Sequence, residues 1–173
     1  VEQSELPATV DELNEPKWYG RVAIAPTNAS FQAFVTAMRL TEGDAATEAW
    51  LRGLKANDVK TFDGNSAISE AVAKGEVDTG LVNHYYLYQT KSEAPDAPIA
   101  NHNFENGDPG NLVNVSAAGI LASAPNKENA QRLIEFMLAE GQEYFATEAE
   151  EKEYPLVAGY EEKLPDDLTP LAE

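Results

Sequence analysis

The chain has 173 residues, 43% of them hydrophobic, no cysteine and a formal net charge of −18. That length supports one good-sized core or two small lobes. The charge argues against nucleic acid and anionic membrane surfaces as partners, and the lack of cysteine excludes disulfides, thiolate metal sites and cysteine nucleophiles.

A cysteine-free chain also fits a bacterial secreted protein that needs no oxidative folding. No run of 18 apolar residues is present, so no membrane-spanning helix is expected. The chain starts at Val1 without an initiator methionine or a signal peptide, which reads as a processed product or a fragment. The charge is uneven. Residues 1–15 carry five acids and no Lys or Arg, and residues 140–173 carry eleven acids and two lysines. The stretch between them is much closer to balance, with fourteen acids and ten basic residues. Acidic ends of this kind read as a solvated surface.

Residues 1–19, with Pro7 and Pro16, show no clear period. Arg21-Val22-Ala23-Ile24-Ala25 is β-branched and bounded by Gly20 and Pro26, which predicts a strand. Phe31, Phe34, Val35 and Met38 then follow helical spacing up to Gly43. Asp44 is placed to cap a second helix carrying Trp50, Leu51 and Leu54. Trp18 and Trp50 are expected in or near the core. A short strand at residues 59–62 leads through Asp63-Gly64-Asn65-Ser66 into a helix with Ile68, Ala71 and Val72, ended by Lys74-Gly75. Residues 77–82 form the next predicted strand. The order strand, helix, helix, strand, helix, strand predicts an α/β fold with largely parallel pairing. Residues 91–111 read as a loop-rich crossing, residues 112–122 as a long β-type stretch, residues 126–140 as an amphipathic helix and residues 142–149 as a second helix.

Tyr85 and Tyr86 stand where the strand 77–82 runs out. Neighbouring side chains on a strand face opposite ways, so two adjacent phenols can reach one target only if the chain turns there. A phenolate is an anionic hard-oxygen ligand and matches a hard trivalent cation. A free phenol has a pKa of about 10, and a highly charged metal can displace its proton. Thr27-Asn28-Ala29-Ser30 lies between a strand and a helix, where leading N–H groups make an anion site. Asn65-Ser66 sits at an equivalent turn. In open α/β sheets ligands gather beyond the carboxyl ends of strands, and Asn28, Ser30, Asn65, Tyr85 and Tyr86 all fall there. His84 and His102 lack the spaced His or Cys partners of a zinc site. No GxxxxGK loop, GxSxG elbow or other catalytic constellation is present. Two N-x-S triplets, at Asn28 and Asn114, are discounted as glycosylation sites, the first because it lies in the candidate site and the second because it lies in an apolar stretch.

These residues resemble the ferric-ion-binding, extracytoplasmic solute-binding proteins of bacterial ABC iron importers, a transferrin-like group. The resemblance rests on the run from Gly20 to Phe31, Asn65-Ser66-Ala67-Ile68, the run from Gly75 to Tyr86, Gly107-Asp108-Pro109-Gly110 and Glu153-Tyr154-Pro155-Leu156. It covers roughly residues 16–160. It implies one lobe of a type II periplasmic-binding-protein fold, with ligand held in a cleft between two lobes. It implies a non-enzymatic, extracytoplasmic role, in the periplasm or at the cell surface, delivering to a membrane ABC permease. It implies that Tyr85 and Tyr86 are metal ligands to Fe(III). Asn28, Ala29, Ser30 and Asn65 would hold a synergistic anion, carbonate or phosphate. Family members often carry Ser-Gly where this chain has Asn28-Ala29, which leaves the anion open.

Family members are also roughly twice this length. The resemblance therefore implies that residues 1–111 form the second, ligand-binding lobe and residues 112–160 a return segment that packs on a missing first lobe, with an acidic tail at 161–173. Such a fragment is expected to bind Fe(III) weakly or not at all, and to self-associate. A small organic anion, a phosphonate or a thiamine-like molecule is the alternative ligand for the same fold. A small α/β enzyme using Tyr85 or Tyr86 as general acid is disfavoured, because no Lys or Arg adjoins the pair in sequence.

Overall fold

The computed structural model describes residues 1–149, 152–160 and 168. Two compact units make up the chain, Val1–Asn114 and Val115–Glu173. The expected tail at 161–173 lies outside the described residues, apart from Leu168.

The first unit is built on a parallel sheet. Strands β1 (Val22–Ile24), β2 (Lys60–Thr61) and β3 (Thr79–Gly80) lie in the order β2-β1-β3. Ala23 is opposite Lys60 on one side, and Val22 is opposite Thr79 on the other. Parallel neighbours need crossovers. Helices α1 (Ala29–Thr41) and α2 (Asp44–Ala56) supply the first, and α3 (Asn65–Ala73) the second. Helix α4 (Tyr86–Glu93) follows β3. The α/β class and the parallel pairing expected from the sequence are both present.

Alternation along β1 sorts the core into two layers. Val22 and Ile24 pack with Phe31, Phe34 and Met38 of α1 and with Trp50 and Leu54 of α2. Phe34 and Trp50 meet edge to face, with ring centroids 5.6 Å apart. Ala23 and Ala25 face the other way, onto Ile68 and Ala71 of α3 and onto Val77. Each fully buried large apolar side chain contributes roughly 1.5–3 kcal/mol. The alanines let α3 come close to the sheet, and Gly80 lets it come closer still. A Cβ on Gly80 would stand 2.2 Å from the Ile68 side chain.

The sequence shows no period over residues 1–19, yet this stretch carries three short 3₁₀ turns, Gln3–Glu5, Val10–Asn14 and Pro16–Trp18. Val10, Leu13 and Trp18 are buried in the α1–α2 layer. The Trp50 indole N–H donates to the Val10 carbonyl at 3.1 Å, tying the stretch to α2. Both tryptophans are therefore core residues, as expected.

Several expectations are corrected. Gly43, at φ +91°, is the N-cap of α2; Asp44 is the first helical residue, and its carboxylate accepts from Arg39 at 2.7 Å. Asn65 likewise opens α3 behind the cap residue Gly64. Strand 77–82 is ladder-paired only at Thr79–Gly80, although the Leu81 N–H still donates to the Ala23 carbonyl at 3.0 Å. Residues 112–122 are not a strand. Their β-branched composition suits a pleated surface, but a strand exists only as part of a ladder, and this stretch is unpaired along its described length.

The second unit contains α5 (Lys127–Met137) and α6 (Glu140–Thr147). Both are shorter than their predicted ranges, or shifted from them, by a turn or less. Ala146, Ala149 and Leu168 are its buried apolar residues among those described. On α5, Leu133 is 58% exposed and Phe136 is 47% exposed.

Candidate metal and anion site

Because all three strands run the same way, the segments leaving their carboxyl ends emerge along one edge of the sheet. Three segments matter there: Ala25 to Asn28 after β1, Phe62 to Gly64 after β2, and Leu81 to Tyr85 after β3.

At the first, Asn28 is the N-cap of α1. Its side-chain oxygen accepts from the Ser30 N–H at 2.8 Å, so one leading N–H group of the helix is taken by the cap itself. Ala29 opens the helix and is exposed; Ser30 is half-buried. A thirteen-residue helix still concentrates partial positive charge at this end. At the second segment, Asn65 is buried, and its amide nitrogen donates to the Asn83 side-chain oxygen at 3.0 Å. This bond joins the start of α3 to the chain two residues before Tyr85.

At the third, the extended chain becomes helical at Tyr85, whose φ is −70° and ψ −17°. The Tyr86, Leu87 and Tyr88 N–H groups donate back to the carbonyls of Asn83, His84 and Tyr85. Consecutive helical residues point about 100° apart, where strand residues point opposite ways. The two phenol rings consequently lie on the same side, 4.8 Å apart between centroids and inclined at 34°. Both residues are half-buried. The turn that two adjacent phenols require is thus present.

The corner is packed from both faces. Leu81 adds to the α1–α2 layer and Val82 to the α3 layer. On α3, the Ser69 hydroxyl lies 2.6 Å from the Thr90 hydroxyl and donates to the Tyr86 carbonyl at 3.4 Å. The sequence reading did not single out Asn83, Ser69 or Thr90. Asn83 could have been noticed as an amide at a strand end. Ser69 carries a fainter signal, as a polar residue four positions after Asn65 on the buried face of a helix.

The histidines take other positions. His84 meets Tyr85 edge to face at 5.5 Å, and its carbonyl accepts from the Asn101 side chain at 3.0 Å. His102 bonds through Nε2 to the Pro7 carbonyl at 2.7 Å. Among the described residues no three or more His, Asp and Glu side chains gather into a metal-binding set. In the Gly107-Asp108-Pro109-Gly110 motif, Asp108 accepts from the Val10 and Gly110 N–H groups, tying the loop to the N-terminal stretch. Glu153-Tyr154-Pro155-Leu156 lies in the second unit, where the Leu156 N–H donates to the Gln142 side chain at 2.8 Å. Burial raises the Tyr154 hydroxyl above the usual phenol pKa. Among the described residues no helix is long and apolar enough to cross a membrane.

A family of bacterial extracellular solute-binding proteins matches residues 1–171. The chain is 36% identical to the Fe(3+)-binding periplasmic protein of Serratia marcescens over 150 residues, which are 85% of this chain and 44% of the relative. Its fold matches that of iron-bound HitA from Pseudomonas aeruginosa with a TM-score of 0.89 and 36% identity, over 98% of this chain and 54% of the other. A Trichodesmium protein (IdiA, FutA) solved with iron and citrate matches with a TM-score of 0.68 and 30% identity, over 92% of this chain and 52% of the other. The chain thus spans about half the length of the relatives it matches.

Proposed function

The chain belongs to the bacterial extracellular solute-binding protein family, and on that premise we propose that it is the Tyr85–Tyr86 half of a substrate-binding component for ferric iron, serving an ABC importer. The family is one of extracytoplasmic binding proteins rather than enzymes. The observation that carries the reading is the phenol pair, brought onto one side by the strand-to-helix turn, in a chain 36% identical to a ferric-ion-binding relative.

In this reading Tyr85 and Tyr86 give phenolate oxygens to Fe(III), which is the cargo. Each ligation releases a proton, so affinity falls as the medium is acidified. A synergistic oxyanion, carbonate or phosphate, sits near the N-terminus of α1 and offsets charge there. Asn28, Ala29 and Ser30 contribute the capped helix end, and Asn65 lies behind it, joined to Asn83. Hard cations take six or more oxygen ligands, so two phenolates and an anion leave the coordination incomplete. The remaining ligands come from the other half of the protein, and binding by this chain alone is weak. Residues 112–160 are the segment that packs on that other half; in its absence, chains associate through it. The permease is the partner that receives the iron.

The test is a titration of the purified chain with Fe(III)-citrate, followed by visible absorbance. A ferric–phenolate charge-transfer band that disappears in Tyr85→Phe and in Tyr86→Phe is the expected result. A wild-type band that survives both substitutions overturns the assignment of the pair. A nanomolar affinity for this chain overturns the view that the other half completes the site.

A further inference from the structure

Buried polar side chains lose free energy unless they are paired, so the use each one makes of its bond is informative. Among the described residues the buried polar side chains are Thr47, Asn65 and Ser69. Thr47 bonds within its own helix, to the Gly43 carbonyl at 3.0 Å. The other two reach across to another element, and both reach the segment that carries the tyrosines. Asn65 is 3% exposed and holds Asn83, two residues before Tyr85. Ser69 is 7% exposed and holds Tyr86, the first residue of α4, and Thr90, one turn further on.

Asn65 and Ser69 are four residues apart on α3, so they lie one above the other on the same helical face. Ile68 stands between them and presses on Gly80. That face thus grips β3, the chain before the corner and the helix after it. Around Ser69 the hydroxyls can form a relay: either oxygen of the Ser69–Thr90 pair can be the donor, and when Ser69 gives its one hydrogen to the Tyr86 carbonyl, Thr90 O–H is left to donate to Ser69. Apolar side chains would fill the α3–α4 contact without a desolvation penalty, but they would let α4 slide or rotate. Hydrogen bonds have direction and set one register.

We infer that Ser69 and Thr90 are positioning residues, which with Asn65 hold the Tyr85–Tyr86 corner in its ligating shape before iron arrives. The inference rests on the reading of Tyr85 and Tyr86 as Fe(III) ligands. Neither hydroxyl touches the metal; each acts through the backbone of α4.

The experiment pairs two readouts on the full chain. In the metal-free protein, NMR follows the contact between the Tyr85 and Tyr86 rings. In the Fe(III)-citrate titration, the charge-transfer band reports affinity. Ser69→Ala and Thr90→Val each remove one hydroxyl of the relay, and Thr90→Ser keeps it. The expected result is a weakened ring contact and Fe(III) binding about five- to tenfold weaker in the first two. Thr90→Ser behaves as wild type, and circular dichroism shows the fold retained. Thr90 is half-buried, so its variants remain informative if Ser69→Ala folds poorly. A ring contact unchanged in both Ser69→Ala and Thr90→Val overturns the clamp, as does a Thr90→Ser variant as impaired as Thr90→Val. Absence of a charge-transfer band in the wild type with Fe(III)-citrate in large excess overturns the weak binding proposed for this chain, and with it the ligating purpose given to the clamp; the metal-free ring contact tells these two failures apart.

Discussion

The two units differ in what happens to an amphipathic helix. In Val1–Asn114, Phe31, Phe34 and Met38 of α1 and Trp50 and Leu54 of α2 are covered by the sheet and by the N-terminal 3₁₀ turns. In Val115–Glu173, α5 follows the same kind of period, yet Leu133 and Phe136 are about half exposed or more. The period of apolar residues is a property of the helix. Burial is a property of what lies opposite. In the first unit the opposite surface is encoded within the same hundred residues; on α5, among the described residues, Leu133 and Phe136 stay open.

Substitutions on the two sides should widen that contrast or erase it. Trp50→Ala removes a buried indole and its bond to the Val10 carbonyl, and should destabilise the first unit by about 3–5 kcal/mol in urea denaturation. Gly80→Ala forces a methyl group against Ile68 and should cost about 1–3 kcal/mol, as overpacking does. A melting temperature unchanged in Gly80→Ala would mean that α3 does not lie as close to β3 as described. Leu133→Ser with Phe136→Ser should shift stability by less than about 0.5 kcal/mol while lowering self-association, measured by light scattering against concentration. If the double variant is as destabilised as Trp50→Ala, α5 has a cover within this chain and the contrast fails.

The legible parts of the fold follow the same line. The strand–helix order from β1 to β3 could be read because each element carries its own signal: a β-branched run, a period, a glycine stop. Gly43 and Gly75 mark two helix limits that the structure keeps, at φ +91° and +71°. The 3₁₀ turns were hidden because runs of three to five residues are too short to show a period; Val10, Leu13 and Trp18 declare themselves only by what they touch. Residues 112–122 misled for the opposite reason, since β-propensity was present without a ladder. At the candidate site, the adjacency of Tyr85 and Tyr86 and the capping type of Asn28 were visible as residue types at element ends. The bond from Asn65 to Asn83 and the relay through Ser69 were not, because they join residues eighteen and twenty-one positions apart.

The strand order has a bearing on how the molecule comes into being. The central strand is the first one synthesised, and its two neighbours arrive much later: Lys60 meets Ala23, and Thr79 meets Val22. Contacts between residues far apart in the chain form slowly, since a long loop must close before any bond rewards it. β1 can therefore pair with β2 before β3 and the phenols beyond it have docked. The tyrosine corner takes shape only after β3 docks on the outer side of β1, which makes it a late event in the assembly of this unit.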